Sequence, residues 1–299
     1  PSNLQCFTDL PLGMGGFGAA FQGKYFNMDV AIKLPLAKNQ SSVLTSLHNE
    51  IRILRHLRHP NIISFYGACI LIETRELLIV EELGPHKSLK DLRRSPDSHA
   101  ALQSHCKDIF LRICSALSYL HSMKPALVHG DLKPANILVD YRFQPKLIDF
   151  GLSRIMNARG KGMGGSPVWM APEVLLACKE QRSEAPACSS DIFSFGYVVF
   201  FVMGGQPPSP AQRIKEYRQA RETDLLWPEE AGVLQEKCRA LCKRCLVFDA
   251  DGRPSADELS TEIVSWDSEA QQPHVQGFEK LLVDMLRRFR QAQQRAMKL

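Results

Sequence analysis

The sequence predicts an α+β fold of two lobes, a small antiparallel β lobe carrying one helix and a large, mainly α lobe. Three observations lead there. Residues 1–84 are rich in short, glycine-punctuated alternating segments with a single good amphipathic helix among them. From Ser88 onward the apolar residues recur at helical spacing. A short linker near residues 82–87 separates the two patterns. Residues 1–84 and 85–267 are therefore read as the two lobes, and 268–299 as a tail of different character.

Taken in order, residues 17–25 and 30–34 alternate as strands do. Residues 42–57 place Val43, Leu47, Ile51 and Leu54 on one helical face. His59-Pro60 stops that helix, because proline disfavours α conformation in the residue before it. Two more strands are expected over 62–69 and 76–82. In the second lobe, residues 100–122 carry Leu102, Ile109, Phe110, Ile113, Leu117 and Leu120, the stripe of a long amphipathic helix. Short strands flank residues 129–136, and further helices are expected over 190–203, 210–222, 233–246 and 255–266. In the tail, Leu281, Leu282, Met285, Leu286 and Phe289 form an apolar stripe among Arg287, Arg288, Arg290, Arg295 and Lys298. A basic amphipathic helix of this kind docks on its own domain or binds an acidic partner or membrane surface.

Composition narrows the class. With 44% hydrophobic and 23% charged residues, the 299-residue chain has the balance of a soluble globular protein. No uninterrupted apolar run reaches the roughly 18–20 residues that span a bilayer. A net charge of +5 is mild and gives no reason to expect nucleic acid as a partner. Nine cysteines, an odd number in a chain too large to need staples, point to reduced thiols and a cytoplasmic location, with the nucleus as the alternative. Residues 1–4 carry neither an initiator methionine nor a signal peptide. Cys238, Cys242 and Cys245 share a helix face with Leu241. Zinc would need a fourth ligand that the neighbourhood does not offer, so they read as packed thiols.

Four short segments carry chemistry. Gly13-Met14-Gly15-Gly16-Phe17-Gly18 removes side chains so that backbone amides can approach phosphates. Dinucleotide-binding folds use the same spacing, but Ala19-Ala20-Phe21 continues as a strand where they would start a helix. Lys33 ends the apolar run Val30-Ala31-Ile32, where a lysine is costly to bury alone, and Glu50 on the following helix is its natural partner. His129-Gly130-Asp131-Leu132-Lys133-Pro134-Ala135-Asn136 and Asp149-Phe150-Gly151 supply the hard oxygen donors that Mg²⁺ prefers.

In this order, the four segments resemble the catalytic domain of a eukaryotic protein kinase over residues 7–266. His59-Pro60-Asn61-Ile62, Trp169-Met170-Ala171-Pro172-Glu173, Ser190-Asp191-Ile192-Phe193-Ser194-Phe195-Gly196 and Asp251-Gly252-Arg253-Pro254-Ser255 make it most similar to the tyrosine-kinase-like group of Ser/Thr kinases. The resemblance implies ATP with Mg²⁺ or Mn²⁺ as cofactors and hydroxyl-bearing protein substrates. It implies that Asp131 is the catalytic base, that Lys133 stabilises the transferring phosphate, and that Asn136 and Asp149 are metal ligands. Lys33, held by Glu50, would bind the α- and β-phosphates under a loop of Gly13, Gly15, Gly16, Phe17 and Gly18. Ala20, Ala31, Glu81, Glu82, Leu83 and Leu138 would line the nucleotide pocket. It further implies that Glu173 pairs with Arg253, that Asp191 braces the catalytic loop, and that residues 165–168 dock a peptide. Lys133 and Ser166 match the Ser/Thr rather than the tyrosine pattern.

Three departures bear on mechanism. Gly130 stands where the family has a phosphate-sensing arginine. The segment from Asp149 to Glu173 has only Ser153 and Ser166 as hydroxyls, and Arg154, Arg159 and Lys161 already make it basic. A phosphate-sensing arginine would have nothing to sense, so activity is expected not to depend on phosphorylation of this segment. Gly160, Gly162, Gly164 and Gly165 should make the loop mobile when empty. Glu81 takes the back of the adenine pocket, where relatives carry Thr, Met or an apolar residue; it is expected to seek Lys33 as its cation. Ala20 replaces a valine, loosening nucleotide contact by about a kilocalorie per mole. The rival reading is a pseudokinase, the same fold serving as a nucleotide-binding scaffold or allosteric partner. The retained Lys33, Glu50, Asp131, Asn136 and Asp149 favour the enzyme.

Overall fold

The structure, a computed structural model, describes residues 3–15, 18–34, 41–71, 76–84, 87–156, 165–180, 186–207, 209–218, 225–228 and 232–266. The tail 268–299, Gly16, Phe17, Arg159, Gly160, Lys161, Gly162 and Gly164 lie outside the described residues.

Five strands, β1 (Leu4–Gly15), β2 (Gly18–Tyr25), β3 (Met28–Leu34), β4 (Phe65–Leu71) and β5 (Glu76–Glu82), pair antiparallel in the order β1-β2-β3-β5-β4. Alternation along a strand sends successive side chains to opposite faces. On one face Val30 and Ile32 of β3 pack with Leu78 and Val80 of β5. On the other, Ile79 packs on Leu47 of α1 (Ser41–Leu54). Lys33 is the register partner of Ile79, so it stands on the helix side of the sheet. Glu81, two residues beyond Ile79, shares that side.

Several boundaries differ from the sequence reading. β1 was not foreseen as a separate strand, because Pro11 and two register shifts interrupt its alternation. α1 ends at Leu54 rather than 57, where His56 N–H to Ile53 O (3.0 Å) and Leu57 N–H to Leu54 O (3.1 Å) tighten the chain into turns. β4 starts at Phe65; the residues before it leave the sheet, and Ile62 instead bridges Leu147 of the second lobe.

That lobe runs β6 (Lys87–Ser88), α2 (Leu89–Leu92), α3 (Pro96–Ser104), α4 (Cys106–Ser122), β7 (Leu127–Val128), β8 (Ile137–Val139), β9 (Pro145–Leu147), β10 (Arg154–Ile155), α5 (Pro172–Lys179), α6 (Cys188–Val202), α7 (Pro210–Arg218), α8 (Val233–Cys245) and α9 (Ala256–Ser265). The single helix expected over 100–122 is two, broken at His105 (φ −106°), whose ring stacks on Phe143 with centroids 4.0 Å apart. α5 had not been foreseen. α6 is buried along most of its length, which explains its near-continuous apolar run. It receives α8 at Gly196, where an added Cβ would come within 2.7 Å of the Cys245 Cβ. Cys242 and Cys245 are buried in that contact layer, and Cys238 is buried beside Cys106 of α4.

Candidate active site

The site forms where β3, α1 and the loops flanking β8 and β9 meet. β3 delivers Lys33 and α1 delivers Glu50, 17 residues later. Lys33 Nζ donates to both Glu50 oxygens (2.8 and 2.7 Å) and to Asp149 Oδ1 (2.9 Å). Asp149 is turned inward by a left-handed backbone (φ +66°) that aspartate tolerates better than most residues. Burial works against the Lys33 charge, yet Glu50, Asp149 and Glu81 outweigh it and hold its pKa above the ordinary lysine value. Asp149 is likewise opposed by burial but is held below the usual carboxylate range by Lys33. Burial pushes the Glu50 carboxyl up against the pull of Lys33. Lysine charge and two carboxylates are thus locked as one unit.

Glu81 corrects the sequence reading. It is buried on the same side, but Lys33 does not hydrogen-bond it, because that ammonium is committed to Glu50 and Asp149. Glu81 Oε1 has no hydrogen-bond partner. Burial first, and then the neighbouring Glu50 and Asp149, push its carboxyl up to about 8 against the pull of Lys33. It stands as a neutral acid at pH 7.

The second cluster lies between β7 and β8. Asp131 Oδ2 takes Lys133 Nζ (2.5 Å) and Asn136 Nδ2 (3.0 Å), while its Oδ1 takes the Ser166 amide (2.9 Å). Lys133 Nζ also donates to Ser166 Oγ (2.7 Å). From below, Asp191 accepts the amides of His129 (2.8 Å) and Gly130 (2.9 Å). Glu173 and Arg253 form a bidentate pair, both bonds 2.8 Å. Asn136 spends its amide nitrogen on Asp131, so its oxygen is the atom open to a cation. With the Asp149 carboxylate this gives two hard donors, a set suited to Mg²⁺ whose remaining positions are filled by phosphate and water. Among the described residues no group of three or more His, Cys, Asp or Glu side chains could hold a metal by itself.

The expected pocket residues fall around these clusters. Gly15 pairs with Gly18 across the β1–β2 hairpin, and a Cβ on Gly13 would meet nothing within 4 Å. No protein neighbour demands a glycine at 13. Ala20 lies opposite Lys33, and Ala31 opposite Glu81. Leu138 reaches up beneath the linker, since a Cβ on Gly84 would lie 2.9 Å from its Cδ1; Leu83 beside it is half-buried. Glu82 turns its carboxylate away to Lys146 Nζ (3.0 Å) and the Ser64 amide (3.2 Å).

Sequence reasoning missed Asn49. Its amide donates to Gly151 O (3.2 Å) and Ser153 O (2.7 Å), fastening α1 to the chain that follows Asp149. Its position beside Glu50 was the signal available.

Comparison with known proteins places this geometry in a family. The protein kinase domain family matches residues 8–263. Protein R831 of Acanthamoeba polyphaga mimivirus, whose name marks it as a candidate serine/threonine-protein kinase/receptor, is 36% identical over 261 residues, 85% of this chain. U-box domain-containing protein 70 of Oryza sativa subsp. japonica is 35% identical over 263 residues, 80% of the chain. Serine/threonine-protein kinase CTR1 of Arabidopsis thaliana is 33% identical over 210 residues, 67% of the chain. The chain spans 15%, 31% and 25% of the lengths of these three relatives.

Proposed function

Because the chain belongs to the protein kinase family, we propose that it transfers the ATP γ-phosphoryl group to Ser and Thr hydroxyls of protein substrates, without requiring phosphorylation of its activation segment. The observation that carries this reading is the Lys33–Glu50–Asp149 cluster, joined by direct hydrogen bonds. Residues 1–84 and 85–267 are the lobes on either side of the cleft.

In this reading Lys33 binds the α- and β-phosphates, with Glu50 fixing its position. Asn136 and Asp149 would hold Mg²⁺, which would supply neutralising charge to the phosphates. Asp131 orients the substrate hydroxyl and accepts its proton as the oxygen bonds to phosphorus and ADP departs. Lys133, already on Asp131, steadies charge on the moving phosphoryl group. Ala20, Ala31, Leu83 and Leu138 enclose the base, and Glu82 contributes through its backbone, its carboxylate being engaged elsewhere.

Independence from phosphorylation draws on four features. Gly130 offers no cation to a phosphate. Ser153 Oγ is buried and donates to His129 O (2.8 Å), while Ser166 Oγ is held by Lys133. Asn49 fastens α1 to the start of the segment without any charge. No described helix is long and apolar enough to cross a membrane, and we place the kinase in the cytoplasm or nucleus.

The test is transfer of radiolabel from Mg·ATP to a protein mixture, followed by phosphoamino-acid analysis. Phosphoserine and phosphothreonine should form, and Asp131→Asn should lower the rate by roughly 10²–10⁴-fold while nucleotide still binds. Equal incorporation by wild type and Asp131→Asn would reduce the chain to the scaffold reading.

A further inference from the structure

We propose that Arg213 of α7 positions the loop from Ser166 to Met170, which contains most of the peptide-docking residues 165–168, in the role that a phosphate on the activation segment plays elsewhere. The inference rests on the kinase reading for its consequence, and on geometry alone for the anchoring.

Arg213 is completely buried. Its Nη1 donates to the carbonyls of Pro167 (3.1 Å) and Val168, its Nη2 to that of Met170, and its Nε to Tyr217 Oη (2.8 Å). The guanidinium carbon lies 4.6 Å from the Tyr197 ring centre, 5.2 Å from Tyr217 and 5.4 Å from Phe193. A buried cation is costly unless its donors are satisfied, and among the described residues Arg213 has no ion pair. Carbonyl dipoles and ring faces supply the compensation instead. The planar fork is what permits this: it reaches three carbonyls from one rigid group, which an ammonium cannot do with the same geometry.

The arrangement works in both directions. Three carbonyls of a five-residue loop converge on one guanidinium, so the loop has one conformation that satisfies them. Trp169 N–H closes a turn on Ser166 O (2.9 Å), and Ser194 Oγ donates to Trp169 O (2.8 Å). Ser166, at the head of the loop, donates its amide to Asp131 and accepts from Lys133. A shift of the loop is therefore felt at Asp131. The anchor comes from beneath, from α7 and α6, and involves no hydroxyl of the segment itself.

The test compares phosphatase-treated wild type with Arg213→Lys and Arg213→Met. Amide exchange at Ser166 and Trp169, whose N–H groups are bonded in the anchored loop, should speed up by about tenfold or more in both variants. Exchange in α4 should not change. Nucleotide affinity should stay within about twofold, while KM for a peptide substrate should rise about tenfold. A variant that merely unfolds would lose nucleotide binding in step with peptide turnover. If Arg213→Met does not fold, Arg213→Lys carries the test. A folded Arg213→Lys with wild-type exchange at both amides and an unchanged peptide KM would overturn the proposal. Slow exchange that appears only in phosphorylated protein would overturn it as well. If wild type phosphorylates no peptide, the kinase reading fails while the exchange result still decides the role of Arg213.

Discussion

Replacing Glu81 by Gln should abolish a pH dependence of stability that the buried carboxyl imposes. Below pH about 4.5 the group is protonated both in the folded protein and in the unfolded chain, and contributes no slope. Between 4.5 and about 8 the unfolded chain has released the proton while the folded protein keeps it. The folded state then binds more protons, so rising pH favours unfolding until the folded carboxyl ionises near 8. At about 1.4 kcal/mol per pH unit, the loss between pH 5 and 8 is on the order of 4 kcal/mol. For a domain of this size that corresponds to roughly 10 °C in Tm. Lys33, Glu50 and Asp149 face the same group. Above about pH 8 the group is ionised in both states and the slope levels off, the repulsion from Glu50 and Asp149 being already part of the raised pKa. Thermal melts of wild type and Glu81→Gln from pH 5 to 8.5 supply the measurement: the Tm advantage of the variant should widen up to about pH 8 and then level off. Parallel curves would refute the assignment of Glu81 as a buried neutral acid.

Lys33→Met should leave Glu50, Glu81 and Asp149 facing one another without a cation. It should cost about 3–5 kcal/mol of stability, read by denaturant unfolding, as well as weakening ATP binding in calorimetry. Gly130→Arg should not install phosphate control. The backbone there sits at φ +78° and a Cβ would lie 2.9 Å from Leu152 O. A stability loss of about 1–2 kcal/mol in denaturant titration is expected, with no response to phosphatase. Asn49→Ala should slow turnover several-fold with little change in Tm, because the half-buried amide guides α1 and the segment rather than filling a core; unaltered kcat would count against that function.

The two-lobed α+β architecture was legible because periodicity changes near residue 84 and because each chemical motif is short and local. The bounds of β5 are legible because Leu77 to Val80 form an unbroken apolar run, and the start of α7 because Pro210 suits the first turn of a helix. Other boundaries slipped where tertiary contacts override pattern. The break at His105 depends on a ring stack with Phe143, 38 residues away, which no helical window contains. β1 hid behind Pro11 and its bulges. Within the site, the pairing of Lys33 with Glu50 follows from the cost of burying charge. The failure of Glu81 to gain that lysine could be judged only once Asp149 was seen to occupy the third donor. Arg213 was illegible for the same reason: a lone arginine in a polar helix segment reads as solvated until the loop that it holds is in view.

The central claim is a cluster assembled for phosphoryl transfer without a phosphate on its own segment. It is tested most directly by treating the purified protein with phosphatase, verifying by mass that no phosphate remains, and measuring the first turnover of labelled Mg·ATP onto a Ser-containing peptide. The account predicts transfer at the rate of untreated protein, with no lag while the enzyme rephosphorylates itself. Loss of transfer, or a lag removed by prior phosphorylation of Ser153 or Ser166, would contradict it.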